Sequence, residues 1–243
     1  MNFKEADMYA PIKAFFEGLG YVVRSEVKGI DVALVKDDSL TAVEMKKSFN
    51  ASLLFQALEG QKVACGVFVA LPRDAFLKKQ GHILHILEKL GIGLVVVAMD
   101  SPVRWVEMQL IPNMAKSRNS RAARALLAEF NGRSFDENIG GTSAVRLLTA
   151  HKERSLQVAC ALERLGAVSP ANLIRHFECH ETTQQLLHKN VLGWFERVER
   201  GKYALSWQGH EALDEPLFAR VVAMYREKFE NLEGGCDVQA QKS

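Results

Sequence analysis

The stretch Gly29-Ile30-Asp31-Val32-Ala33-Leu34-Val35, followed after a short polar turn by Thr41-Ala42-Val43-Glu44-Met45-Lys46, leaves this chain few ways to fold. It reads as two strands closing a hairpin, with charged residues where a buried hairpin would carry apolar ones. Strand side chains alternate between faces, so Glu44 and Lys46 share a face and Met45 opposes them. Asp31 joins that face only if it pairs with Glu44. Ala33 then faces Ala42 and Val35 faces Leu40, while the opposite face pairs Ile30 with Met45, Val32 with Val43 and Leu34 with Thr41. This register needs an even loop around Asp37-Asp38, two or four residues long. A three-residue loop would throw Asp31 to the other face.

The residue types suggest a chemistry. Two carboxylates held close together repel unless a cation sits between them or one is protonated. Hard divalent ions such as Mg²⁺ or Mn²⁺ take oxygen ligands from one or two carboxylates, with water and substrate phosphate in the remaining positions. A lysine beside such an ion can position a water or stabilise charge on a phosphate. Asp31 with Glu44-x-Lys46 on the next strand therefore suits metal-assisted hydrolysis of a phosphodiester. The competing account is a salt-bridged hairpin with a solvated face.

Composition narrows the setting without naming a function. Of the 243 residues, 48% are hydrophobic and 25% charged, as in an ordinary soluble globular protein of one large or two small domains. A net charge of +2 does not argue for nucleic acid. Cys65, Cys160, Cys179 and Cys236 form no Cys-x-x-Cys pair, so neither a disulfide framework nor a zinc ribbon is indicated. His176, Cys179, His180 and His188 lie close together, but their spacing fits no common zinc pattern. Glu5 and Asp7 come early and no apolar core follows, so no signal peptide is read. The apolar run Leu94 to Met99 is too short to span a bilayer. The expected setting is reduced and cytoplasmic, with no membrane partner.

Taken in order, residues 3 to 18 predict an amphipathic helix with Met8, Ile12, Phe15, Phe16 and Leu19 on its apolar stripe, and Pro11 implies a kink or a late start. Glu5 falls on that stripe. An inward carboxylate needs a partner, although one in the first turn can also complement the helix dipole. Tyr21 to Val27 is a strand, and Glu26 at its end can point toward the site. After the hairpin, Ser52 can cap a helix over 52 to 64 whose faces group Ser52, Gln56, Glu59 and Val63, or Leu54, Leu58 and Gln61. Gln56 there can bond to a site ligand or nucleic-acid backbone, or be solvated. Gly66 to Leu71 and Leu94 to Met99 read as buried strands flanking a helix over 80 to 90, and Arg104 to Ile111 as a last strand. Antiparallel neighbours followed by a strand-helix-strand crossover predict an α/β fold: a mixed sheet with helices on both faces.

This order, with Asp31 on one strand and Glu44-x-Lys46 on the next, resembles the PD-(D/E)XK nuclease superfamily and its restriction-endonuclease-like fold. The phrases Glu5-Ala6-Asp7-Met8-Tyr9-Ala10-Pro11, Val43-Glu44-Met45-Lys46 and Leu54-Phe55-Gln56-Ala57 are similar to an uncharacterised bacterial family of PD-(D/E)XK-type phosphodiesterases. The resemblance implies that Asp31 and Glu44 bind Mg²⁺ (or Mn²⁺), that Lys46 assists the water, and that Glu5 and Gln56 complete the catalytic set. Ile30 stands where the superfamily motif has proline, a position at which that proline is often lost.

Residues 1–112 would form the nuclease-like domain and 113–142 a basic helix and linker, with Arg118, Arg121 and Arg124 spaced along one face as phosphate contacts or as a solvated face. From 113 to 160 Lys and Arg outnumber Asp and Glu eight to four. In residues 143–233, helices over 155–165, from Ser169-Pro170 to about Phe177, and from Glu181 or Thr182 to about Leu192, then strands Trp194–Val198 and Lys202–Leu205, have the layout of a winged helix-turn-helix. The same bacterial family carries similar phrases there, Asn190 to Val198 and Gly201-x-Tyr203-Ala204-Leu205. Thr183, Gln184, Gln185, His188, Lys189 and Asn190 on the third helix, and Arg197, Arg200 and Lys202 on the wing, are the candidate nucleic-acid contacts; Glu196 and Glu199 dilute that charge, and the alternative is a protein–protein module. Trp194, Phe195, Tyr203 and Trp207 read as core, and 234–243 as a disordered tail.

The sequence reading is thus a metal-dependent phosphodiesterase acting on nucleic acid, DNA first, with winged-helix targeting. Its rivals are a non-catalytic DNA-binding or regulatory protein on a nuclease-like scaffold, and an RNA-processing enzyme. A homodimer is an assembly the superfamily uses.

Overall fold

The computed structural model describes residues 3–101, 103–115, 120–134 and 148–240. The chain divides into two compact units, Met1–Leu147 and Leu148–Ser243. In the first, a 3-10 turn at Glu5–Met8 leads into α1 (Tyr9–Gly18), then β1 (Val22–Val27), β2 (Ile30–Lys36), β3 (Ser39–Met45), α2 (Ala51–Gly60), β4 (Gly66–Pro72), α3 (Arg73–Leu77), α4 (Gln80–Leu90), β5 (Gly93–Ala98), β6 (Trp105–Leu110) and α5 (Ser120–Asn131). The six strands form one sheet in chain order: β1, β2 and β3 antiparallel, β3, β4 and β5 parallel, and β6 antiparallel to β5.

The hairpin register is the one the alternation predicts. Val32 pairs with Val43, Ala33 with Ala42, Leu34 with Thr41, Val35 with Leu40 and Lys36 with Ser39, around a two-residue turn. Asp37 and Asp38 both adopt positive φ, 49° and 57°, which gives the turn a twist matching that of the strands it joins. Ile30 departs from the expectation. It packs with Val27, Ala33, Leu40 and Leu53 on one face of the sheet, while Val32, Leu34, Val43 and Met45 pack with Met8, Ile12 and Phe16 on the other. The reason lies on the neighbouring strand. Glu26 sits at φ 50°, between the pairs Ser25–Val32 and Val27–Ile30, which stay in register. The left-handed backbone there, not an inserted residue, breaks the alternation.

Other boundaries move for local reasons. The α-helix begins only after the 3-10 turn, so Pro11 falls in its first turn, where the missing N–H costs nothing. Leu19 lies past the helix end and is exposed; its carbonyl accepts the Lys36 ammonium at 2.8 Å. Asn50, not Ser52, caps α2, accepting the Leu53 N–H at 2.9 Å. The buried stripe of α2 is Leu53, Ala57 and Gly60, leaving Leu58 exposed. A Cβ at Gly60 would lie 3.3 Å from Val67 and 3.8 Å from Ala42, so glycine lets the helix lie close against β3 and β4. β4 and β5 are buried throughout, as strands covered on both faces must be.

The second unit contains α6 (Ala150–Leu165), α7 (Pro170–His176), α8 (Thr183–Lys189), the hairpin β7 (Phe195–Glu199) and β8 (Lys202–Leu205), α9 (Trp207–Leu213), a 3-10 turn at Pro216–Phe218, and α10 (Ala219–Ala240). Ser169 caps α7 with Pro170 behind it, as read. α6 starts earlier than expected because Thr149 caps it. α8 stops at Lys189 because Asn190 turns left-handed and its amide bonds both backbone groups of Phe195, at 2.6 and 3.2 Å. Trp207 is 66% exposed rather than core, since it opens α9. The expected tail overlaps the last turns of α10, where side chains from 233 onward lie outside the described residues. No described helix is long and apolar enough to cross a membrane.

Candidate active site

Asp31 is the second residue of β2 and Glu44 the penultimate residue of β3. At this end of the hairpin, the Asp31 carboxylate accepts the Met45 N–H at 2.9 Å. That bond ties the carboxylate to the strand that carries Glu44. Glu44 is 2% exposed, and its Oε2 is buried with no hydrogen-bond partner. Lys46 follows β3, with its N–H donating to the Ala70 carbonyl at 3.2 Å. Its ammonium lies 3.4 Å from Glu5 Oε2, and the other oxygen of Glu5 accepts the Lys47 N–H at 3.3 Å. Glu5 thus reaches the site from the 3-10 turn and grips two consecutive residues there.

Gln56 comes from α2. Its Oε1 is also buried without a partner, and it lines with Glu44 a cavity of about 250 Å³ bounded by Lys28, Phe55 and Glu59. Two buried acceptors without a donor, on residues that line one cavity, suit a cation or a donor supplied from outside the chain.

The electrostatics agree. Burial pushes the Glu44 carboxyl up to about 8; the adjacent Asp31 carboxylate adds to the rise, Lys46 opposes it, and Glu26 adds a smaller share. Asp31 is raised too, mainly by burial, against the pull of the Met45 N–H and the Lys46 charge. Burial and mutual repulsion thus both disfavour ionising the two carboxyls together in the absence of a cation.

Among the described residues no cluster of three or more His, Cys, Asp or Glu side chains is arranged to hold a metal unaided. Two carboxylates with an orphaned oxygen nevertheless fit a small hard ion, which keeps several waters and needs only one or two protein carboxylates.

The structure also brings in residues the sequence reading passed over. Arg133, only 3% exposed, donates to the Ser25 and Glu26 carbonyls at 3.2 and 3.1 Å and pairs with Glu129 at 2.9 Å, holding the left-handed Glu26 in place. The only signal for it was the four-residue spacing from Glu129. Of the expected nucleic-acid contacts, Arg121 and Arg124 are exposed on α5, and Arg118 lies outside the described residues, as does most of the expected linker. Gln184, Gln185, His188 and Lys189 are exposed along α8, and Arg200 and Lys202 on the β7–β8 hairpin. Two neighbours do not join them. Thr183 is buried and bonds the His180 carbonyl, and Asn190 is engaged with Phe195.

A mixed six-stranded sheet flanked by helices fits the PD-(D/E)XK class of folds. Residues 95–212 match the family model described as "Putative PD-(D/E)XK phosphodiesterase (DUF2161)". The matched segment is just under half of the chain; it runs from β5 into α9 and does not include Glu5, Asp31, Glu44 or Lys46. No curated protein and no solved structure matches the chain.

Proposed function

We propose that this protein is a divalent-metal-dependent phosphodiesterase of nuclease type that hydrolyses nucleic acid, with DNA the favoured substrate. The observation that carries the reading is the pair of orphaned acceptors, Glu44 Oε2 and Gln56 Oε1, with the Asp31 carboxylate held by a backbone N–H of the strand that carries Glu44. The family match to a phosphodiesterase supports it.

Asp31 and Glu44 would hold Mg²⁺ or Mn²⁺. The ion would supply the charge that lets both carboxylates ionise and would acidify a water. Asp31 is oriented by the Met45 N–H, which fixes one of its carboxylate oxygens against β3. Gln56 orients a ligand in the cavity it shares with Glu44. Lys46 presents its ammonium to the attacking water or to the phosphate, and Glu5 fixes where that ammonium sits. Burial of Glu44 keeps bulk water from competing for its oxygen.

Within residues 148–243, three helices followed by a hairpin support a winged-helix reading. The exposed face of α8 and the hairpin cations would engage a duplex through its groove and phosphates.

The test is cleavage of labelled single-stranded, double-stranded, branched and RNA substrates with Mg²⁺ or Mn²⁺, with Glu44→Ala and Lys46→Ala alongside. Metal-dependent cleavage lost in both variants carries the reading and names the substrate class. Absence of cleavage on every substrate, or cleavage indifferent to both substitutions, would leave a DNA-binding protein on a nuclease-like scaffold.

A further inference from the structure

Beyond the carboxylate centre, the carboxyl ends of the parallel strands β3, β4 and β5 enclose a second cavity of about 330 Å³. Open α/β sheets bind ligands at this edge, and the volume falls within the range of small-ligand sites, about 300–1,000 Å³. Its lining has two characters. Lys47, Arg73, Lys78 and Lys79 supply four positive charges against the two of Asp74 and Asp100. Phe3, Phe49 and Met99 supply apolar surface.

Among the described residues no ion pair engages any of the four cations. Two of them rest on aromatic faces instead: the Lys47 ammonium 5.5 Å from the Phe3 ring centre, and the Arg73 guanidinium 5.9 Å from that of Trp105. The cavity is joined to the carboxylate centre through one side chain. Glu5 accepts the Lys47 N–H with one oxygen and contacts the Lys46 ammonium with the other.

We propose that this cavity binds a nucleotide of the nucleic-acid substrate, the one adjoining the phosphodiester addressed by Asp31, Glu44 and Lys46. An anion alone would use the cations and waste the apolar floor, and an apolar ligand would leave the cations idle. A nucleotide uses both, its base against Phe3 and Phe49 and its phosphates on Arg73 and the lysines. The proposal rests on the phosphodiesterase reading for the identity of the neighbouring bond, not for the binding itself.

Calorimetric titration of the full chain in chelator, where cleavage is silent, tests it. The probes are deoxyadenosine bisphosphate with phosphates on both sugar hydroxyls, deoxyadenosine, and inorganic phosphate. The bisphosphate is expected to bind at least about tenfold more tightly than either fragment. Arg73→Glu and Lys78→Glu, both at exposed positions, should each weaken it about tenfold and flatten its salt dependence. Arg73→Lys should restore most of the affinity. Equal binding of inorganic phosphate or of deoxyadenosine would overturn the proposal. So would affinity that survives both charge reversals. Bisphosphate binding without cleavage of any substrate would retain this site and remove the phosphodiesterase reading. Cleavage without bisphosphate binding would do the reverse.

Discussion

Glu5 Oε2 lies 3.4 Å from the Lys46 ammonium, across 41 residues of chain. Both side chains are about three-quarters buried, at 28% and 23% exposure, so the contact orients the lysine more than it stabilises the fold. Glu5→Gln should therefore lower kcat about tenfold with KM little changed, and alter unfolding free energy by less than about 1 kcal/mol. Steady-state kinetics beside urea denaturation separates the two effects; a large stability loss with normal kcat would make Glu5 structural.

The raised carboxyl of Glu44 predicts an inverted pH response. Its folded value, about 8, lies above the ordinary 4.5, so between these limits the folded state holds a proton the unfolded chain has released. Stability of the metal-free protein should be greatest below that window and fall by a few kcal/mol as pH rises through it. Asp31 is shifted in the same direction and adds to the slope. Glu44→Gln should flatten the curve. Urea midpoints in chelator across the window would show this, and a slope unchanged in the variant would contradict it.

Loading with Mn²⁺ or Mg²⁺ should expel the proton held at Asp31 and Glu44. About one proton per ion is expected near neutral pH, with affinity rising toward pH 8 and levelling above it. Calorimetry in buffers of different ionisation enthalpy counts it. An affinity independent of pH would mean the ion binds elsewhere.

Arg133 holds two backbone carbonyls and one carboxylate from a buried position. Arg133→Ala strands all three and should cost about 3 kcal/mol. Because those carbonyls belong to Ser25 and Glu26, the hydrogen-exchange protection lost should concentrate at the β1–β2 turn. Loss spread evenly over the sheet would argue against this local role.

Asn190→Ala removes two bonds to Phe195 and a residue suited to positive φ. Destabilisation by about 2 kcal/mol, read by denaturation of the full chain, is expected. Asn190→Gly, which keeps the backbone freedom, should recover part of it, and no recovery would place the whole cost in the side-chain bonds.

Much of this was legible in the sequence because it is local. Alternation and a two-residue turn place Ala33 opposite Ala42 without reference to the rest of the chain, and they bring Asp31 to the end that carries Glu44. Ser169-Pro170 marks a helix start by backbone chemistry alone. Legibility failed where a distant group intervened. Ile30 changes faces because Glu26 turns left-handed, and Glu26 is held by Arg133 more than a hundred residues on. The buried stripe of α2 runs through Leu53, Ala57 and Gly60 because Val67 and Ala42 meet the glycine.

The residues of the site divide in the same way. That Asp31, Glu44 and Lys46 belong to one strand end follows from covalent geometry and the period of a strand. That Glu5 contacts Lys46 and Lys47, that Gln56 lies beside Glu44, and that Arg73 and Lys78 line a cavity with Lys47 depends on how α1, α2 and α3 pack around the ends of β3, β4 and β5. Packing of that kind is set by burial of whole apolar faces, which is non-directional and long-range in sequence, so no local pattern announces it.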